Sequence, residues 1–571
     1  MISRVLVPDE SGDWLEFQAP KEVLTASSPD DVLEVLRVAE TAAIDGAYVA
    51  GYVSYEAASA FDPALSHHVP GGLPLVSFAI FDKPVTLGHI KSHPDALALK
   101  PSLSRQDYGE ALRDIKKYLA EGDTYQVNFT QQLLGELQEF DADALMARLS
   151  GIQPTPYAMM IESADHVICC VSPELFFERT GEVLRTEPMK GTRPRGRFTE
   201  EDEQQYQALI ASHKDRAENL MIVDMIRNDL GRVANTGTVA VDEMFQIKAL
   251  PTVWQQVSSI TAETNANLVE VFRNLFPCAS VTGAPKARTM EIIRELESDP
   301  RGVYTGAVGM IRPGGDCCFA VAIRTLVVDK TSGAATYGVG GGIVWDSDIE
   351  EEWQEAMTKS AVLNAERPDF QLLETMRFDP ADGVERLDYH LARLSRSAGY
   401  FGYACSLSKI RTEIDDLKIV HPCRLRLLLD ADGTSTLEQH PLPDSSGLVR
   451  LRLAPNPVNS SDVFLFHKTT HRHVYEAARN SVADCDDVLL YNEKGELTET
   501  SIANVFLEID GNLKTPAVSC GLLAGTLRQE MLDQGLATEA ILTREDLKEA
   551  SRLYVANSLR GMREAELLDD K

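Results

Sequence analysis

Nowhere in this sequence do some twenty apolar residues follow one another, so no segment has the length and character of a membrane-crossing helix. Positive charge is scarce. The 55 Lys and Arg against 87 Asp and Glu leave a net charge of −32, which repels nucleic acids and anionic membranes at long range. Neither is expected as a partner, and any anionic ligand must be held by local cations and backbone amides. Cysteine at zinc-ligand spacing is missing as well: of nine cysteines, Cys169–Cys170 and Cys317–Cys318 are adjacent pairs, and the set reads as reduced, buried, small apolar residues. The absence of low-complexity tracts and short repeats excludes fibrous and solenoid architectures. Met1 to Ser11 lacks the basic-then-apolar pattern of a secretory signal, so a cytoplasmic location is expected.

What is present points to a folded chain of several domains. Its 571 residues exceed what one core supports, and its 44% hydrophobic and 25% charged content is that of soluble globular proteins. Up to about Asn364, β-rich runs such as His166–Val171 and Phe319–Val328 alternate with amphipathic helices such as Tyr108–Ala120. A proline follows a charged helix end in AERPDF (365–370), after which a strand, an Asp382-Gly383 turn and a helix from Leu387 make a fresh start. Domains at 1–364 and 365–571 are expected.

In the first, KDRAENLMIVDMIRNDLGRV (214–233) carries apolar residues at helical spacing with Glu218 at the head of the stripe. IEEEWQEAMTK (349–359) sets Glu352 and Glu355 one turn apart, with Lys359 on the same face. Carboxylates on two helices suit Mg²⁺, which takes one or two of them and keeps waters for an anionic substrate; a core helix with a charged end is the competing reading of Glu218. Gly338, Gly340, Gly341 and Gly342 in YGVGGGIVWDS let backbone amides approach an anion. Ile343 stands where the third glycine of a dinucleotide fingerprint belongs. Arg324 lies in the apolar run FAVAIRT and needs a carboxylate partner, from a ligand or from the protein.

Taken together with GDTYQVNFTQ, SPELFF, EPMKGTRPRG, FPCASVTGAPKARTMEII and YTG, these segments resemble the chorismate-utilising enzymes, in family order across about Tyr108–Asn364. The resemblance implies an α+β fold of two large packed sheets with helices outside, and Mg²⁺ at Glu218, Glu352 and Glu355; residues before about Asp107 belong to the part that holds tryptophan in relatives, but show no convincing set of ligands for one. It also implies that Gln126, Thr282, Tyr304, Arg324, the glycines and Lys359 receive chorismate. Gln126 stands where isochorismate and salicylate synthases have a water-activating lysine, so ammonia is the implied nucleophile. Lys190, in PMKGT, stands where anthranilate synthases have PIAGT, and implies an aminodeoxychorismate synthase in which Lys190 attacks the ring and Glu174 helps the C4 hydroxyl leave; anthranilate synthase is the alternative. Gln255 replaces the family histidine, which leaves more of that task to Glu174. No glutaminase elbow of the GxCxG kind occurs, so a separate glutamine amidotransferase subunit is expected.

In the second, FHKTTHRHVYEAA (466–478) places Lys468 among threonines and histidines. Arg393 lies upstream; LTETSIANVF (Glu499, Asn504), GLLAGTLR (Gly525, Thr526, Leu527) and ANSLRG lie downstream. This set resembles the fold-type IV pyridoxal-phosphate enzymes over about Phe370–Leu568. It implies two α/β subdomains and a dimer through this half. Lys468 is the implied point of cofactor attachment and proton carrier, Glu499 (with Asn504 nearby) the partner of the pyridine nitrogen, and Arg393 with the Thr526–Leu527 amides the phosphate site. LLETMR, HKTTHR and NSLRG resemble aminodeoxychorismate lyases more than branched-chain or D-amino-acid aminotransferases, which remain the alternative.

Overall fold

The computed structural model describes residues 1–9, 13–88, 90, 97–364, 368–444 and 446–568. It divides into two compact units, one of Met1–Pro194 with Tyr206–Arg367, the other of Arg195–Gln205 with Pro368–Lys571. The junction expected after Asn364 falls at residues 365–367, outside the described residues.

The first unit is built on two ten-stranded antiparallel sheets. The longest ladder pairs Gln126–Glu136 with Ala334–Ile343, from Glu136 opposite Ala334 to Val127 opposite Ile343. Because side chains alternate along each strand, Val5, Phe17, Ile161 and Ile168 of one sheet meet Tyr52, Phe81, Val308 and Ala320 of the other in a shared core. The outer faces carry helices. Pro29–Ile44, His213–Gly231 and Leu268–Leu275 cover one sheet, while Ala142–Ile152 and Ile349–Lys359 lie on the other. Phe177, Phe272 and Phe319 interlock with ring centroids 5.2–5.3 Å apart, and truncating any one of these rings to alanine costs about 3–5 kcal/mol.

Local signals fix the helices that matter for chemistry. Asp348 caps Ile349–Lys359 by accepting from the Glu350 and Glu351 amides at 2.8 and 3.1 Å. Ser212 caps His213–Gly231 through the Asp215 amide at 3.2 Å.

The second unit has the expected two subdomains. A four-stranded antiparallel sheet, ordered Gly383–Val384, Leu372–Asp379, Cys423–Leu429 and Ser435–His440, packs under helices Leu387–Phe401 and Leu407–Asp415 through Leu391, Leu394, Ile410 and Leu425. An eight-stranded mixed sheet follows, with Val449–Leu453 parallel to both its neighbours. Residues 195–205 belong to this unit although their flanks belong to the first. Phe198 stacks on Phe466 at 5.3 Å, and the Tyr400 hydroxyl donates to the Gly196 carbonyl at 2.8 Å.

Candidate active sites

In the first unit a cavity of about 610 Å³ opens between the glycine-bearing strand, the strand Met189–Pro194 and the capped helices. Glu174, Lys190, Glu218, Arg324, Glu352, Glu355 and Lys359 line it. Lys190 reaches over Gly342, where any Cβ would overlap its amine; the Gln126 carboxamide comes within 3.1 Å of the same point. Gln126 is fully buried, yet neither its oxygen nor its nitrogen has a partner. An unsatisfied buried amide is costly, and Gln126, expected to receive the substrate, is not among the residues that line this cavity. Glu174 is buried with one oxygen unpartnered. Burial pushes its carboxyl up to about 7, while Ser280 and Lys190 pull it down. A carboxyl that holds its proton near neutrality can donate it.

The glycines lie in a regular strand rather than an anion-binding loop, with Gly338 to Gly342 in ladder register opposite Gln132 to Asn128. Their value is bareness. A side chain at 338 would overlap the Tyr304 ring, and one at 341 would press on the Glu352 carboxylate at 3.2 Å. Thr282 is brought near but does not face the cavity: its hydroxyl donates to the Cys278 carbonyl at 3.0 Å, and Ser280 and Val281 form the wall instead. Arg324 holds a positive φ of 50°, a sparsely populated conformation that turns the chain where its side chain joins the cavity wall.

Among the described residues no three His, Cys, Asp or Glu side chains converge as a ready-made metal site. Glu218, Glu352 and Glu355 all line the cavity, but protein donors already engage two of them. Ser347 donates to Glu352 at 2.6 Å, and the Lys359 ammonium bonds Glu355 at 2.7 Å. Lys359 holds Glu355 below the usual carboxylate range, whereas burial raises Glu352 and Glu218. Hard oxygen donors on one helix turn fit an ion that completes its shell from water and substrate. Sequence reading missed the grip on Lys190's strand: Gln255 donates to the Gly191 carbonyl at 2.9 Å and accepts from the Thr192 hydroxyl at 3.0 Å.

In the second unit a cavity of about 350 Å³ surrounds Lys468. Burial, with Arg393 and Arg472 adding to it, lowers the Lys468 ammonium to about 7, so the amine is available as a base or nucleophile near neutrality. Glu499 is raised to about 7 by burial. It accepts from the Tyr475 hydroxyl at 2.8 Å, the Leu523 amide at 2.9 Å and the Asn504 amide at 3.2 Å. Asn504 also donates to the Leu523 carbonyl at 2.8 Å, and Gly525 is bare because a Cβ there would overlap the Asn504 oxygen. Thr526 opens the helix Thr526–Asp533, whose first amides lack intrahelical partners. The Leu527 side chain packs into the core with Phe506 and Met531, leaving only its backbone for a ligand.

Arg393 lines the cavity with part of its fork already engaged. It donates to Glu374 at 2.9 and 2.6 Å and to the Ala524 carbonyl at 3.1 Å. Glu374, held at about 2 despite burial by Arg393 and His390, was not singled out from the sequence; nor was His390, which bridges it at 2.6 Å to the Ser558 hydroxyl at 2.8 Å. A buried amine, an anchored acid and free amides at a helix start form a donor set that fits pyridoxal phosphate.

Comparison with known proteins agrees with this division. The family described as chorismate binding enzyme matches residues 87–365, and amino-transferase class IV matches residues 371–567. Aminodeoxychorismate synthase component 1 of Salmonella typhimurium is 41% identical over 264 residues, 46% of this chain and 58% of that protein. The chain thus spans little more than half the length of the curated relatives it matches, 54–58% for three of them. The anthranilate synthase component I structure from Streptococcus pneumoniae shares the fold at a TM-score of 0.53 and 21% identity, over 64% of this chain and 90% of that one. The class IV match implies pyridoxal phosphate. The chain thus carries one segment, residues 87–365, that matches the chorismate-binding enzymes and a second, residues 371–567, that matches the class IV aminotransferases.

Proposed function

We propose that the chain makes 4-aminobenzoate from chorismate in two reactions, one in each unit. The first adds ammonia and expels water to give aminodeoxychorismate; the second releases pyruvate. The carrying observation is the convergence of the Lys190 amine and the unpartnered Gln126 carboxamide above Gly342. In this reading Lys190 attacks ring C2, Glu174 gives its proton to the departing C4 hydroxyl, and ammonia enters at C4 as Lys190 leaves. Gln126 is neutral and activates no water. Arg324, Tyr304 and Lys359 orient the two carboxylates, and Glu218 and Glu355, with Glu352 nearby, would hold Mg²⁺, which would supply positive charge against the ring carboxylate. Ammonia comes from a separate glutamine amidotransferase component, which the name of the component 1 relatives supports.

Pyridoxal phosphate supplies an electron sink to the second reaction when bound. Lys468 would carry it and move a proton from ring C4, Glu499 would hold the pyridine nitrogen, and Thr526 with the Leu527 amide and Arg393 would take the phosphate.

Incubating the full chain with chorismate, ammonium, Mg²⁺ and pyridoxal phosphate, then identifying the aromatic product, tests both halves. 4-Aminobenzoate with equimolar pyruvate is expected. 2-Aminobenzoate would replace the first assignment with an anthranilate synthase, and accumulated aminodeoxychorismate would remove the lyase in favour of an aminotransferase.

A further inference from the structure

Among the described residues the cavity around Lys468 is lined by five arginines, Arg393, Arg424, Arg426, Arg472 and Arg560, besides Lys468 itself, against one carboxylate, Glu499. In a chain with 32 more acids than bases, counter-ions were abundant, so the local excess calls for an anionic occupant. The six are not equivalent. Arg393 is engaged by Glu374, and Arg426 pairs with Glu438 at 3.0 Å. Arg472 donates to the Ser501 carbonyl at 2.5 Å and lies over the Tyr475 ring at 4.9 Å. Arg424 and Arg560 have no such partner. The Arg424 Nε is buried with no hydrogen-bond acceptor, and no carboxylate bonds the Arg560 guanidinium among the described residues.

Both are nonetheless held in place. Along Cys423–Leu429, Leu425, Leu427 and Leu429 enter the subdomain core, which leaves Arg424 and Arg426 on the opposite face, that of the cavity. Arg560 follows a turn fixed by Asn557, whose side-chain oxygen accepts from the Leu559 and Arg560 amides at 3.1 and 2.8 Å. Burial, then Arg563 and last Arg424, push the Arg560 guanidinium below its ordinary range, with Asp487 acting the other way. Asp487, which accepts from the Ser501 hydroxyl and the Val488 amide, acts on Arg560 only through space, and a ligand carboxylate is what a guanidinium fork matches directly. The cofactor phosphate has its own donors on other elements, at Thr526 and Arg393. Arg472, which with Arg393 acts on Lys468, faces the reacting end of the cavity.

We propose that Arg424 and Arg560 clamp one carboxylate of the substrate while Arg472 meets another, so that this site selects amines bearing two carboxylates over ordinary monocarboxylate amino acids. The inference rests on the reading of the second unit as the consumer of aminodeoxychorismate, and it names the groups that would recognise that molecule.

The test uses the full chain loaded with pyridoxal phosphate and follows the cofactor's absorbance, which a molecule lodged in the first cavity leaves unmoved. The probes are 3-(1-carboxyvinyloxy)benzoate, with two carboxylates and no amine, and benzoate, with one. The dicarboxylate should perturb the spectrum at a concentration at least about tenfold lower than benzoate, and Arg424→Gln and Arg560→Gln should each erase most of that advantage. Arg424→Lys, which keeps the charge without the fork, should retain part of it and serves if a glutamine variant fails to fold. Equal response to the two probes, or a preference untouched by all three variants, overturns the proposal. An arginine-dependent preference without pyruvate release from aminodeoxychorismate would instead overturn the lyase reading and leave the clamp standing.

Discussion

Gln255 and Gly191 are joined across two neighbouring strands: the Gln255 amide donates to the Gly191 carbonyl at 2.9 Å, one residue beyond Lys190. With the Thr192 hydroxyl donating back to the same side chain at 3.0 Å, Gln255 fixes the backbone from which the Lys190 amine is aimed. Where relatives are expected to place a histidine for proton transfer, this chain has a side chain that holds the strand carrying Lys190.

Gln255→Ala should therefore act on geometry. Two hydrogen bonds of about 1 kcal/mol each are lost, so kcat for ammonia-dependent chorismate consumption should fall by about tenfold with KM for chorismate nearly unchanged. Steady-state kinetics decide it; a rise in KM alone would make Gln255 a substrate contact.

Two glycines of one strand should respond differently to alanine. At Gly338 the new methyl meets the Tyr304 ring, and at Gly342 it meets the free end of Lys190. Gly338→Ala should lower stability by about 1–3 kcal/mol, the usual cost of overpacking, and abolish chorismate turnover. Gly342→Ala should lose less stability than Gly338→Ala, because a lysine tip moves cheaply and the buried Gln126 carboxamide at 3.0–3.1 Å need shift only a few tenths of an ångström, yet lose most turnover. Thermal melts beside activity assays separate the two.

Much of this site was legible because its residues sit in short contiguous segments: Lys190 in PMKGT, Glu174 in SPELFF, Lys468 and Glu499 in theirs. The misses share a cause. Gln255 to Gly191, Glu374 to His390 and Ser280 to Glu174 are contacts between elements distant in sequence, set by strand register and helix packing rather than by local pattern. Thr282 was placed on the cavity wall from its motif, but its hydroxyl finds the Cys278 carbonyl four residues back. The glycine run read as a loop because glycine density signals turns; a ten-residue ladder outweighs that local preference.

The raised Glu174 carboxyl makes a signed pH prediction. The folded state holds its proton up to about 7, the unfolded chain only to 4.5, so between these values the folded state binds more protons and stability falls as pH rises. Above pH 7 the buried charge costs on the order of 3 kcal/mol, which Glu174→Gln should recover. Denaturant midpoints should show the variant more stable than the parent at pH 8 and nearly equal to it at pH 4.5, while amination falls by about 10²–10⁴-fold. Equal midpoints at pH 8 would contradict the buried charge.

In the second unit, Tyr475→Phe removes the 2.8 Å hydroxyl donor from Glu499 and should push that carboxyl still higher. Cofactor binding, read by absorbance, should persist, and pyruvate release from aminodeoxychorismate should drop by about tenfold at neutral pH, the cost of one charge-assisted hydrogen bond. Unchanged release would detach Glu499's charge from the reaction.

The eleven residues 195–205 give the second unit a scattered primary structure. A gene truncated to begin at residue 368 would encode a polypeptide deprived of Phe198, whose ring covers Phe466 two positions before Lys468. Producing the second unit by itself therefore demands a graft of that strip, not a single cleavage point.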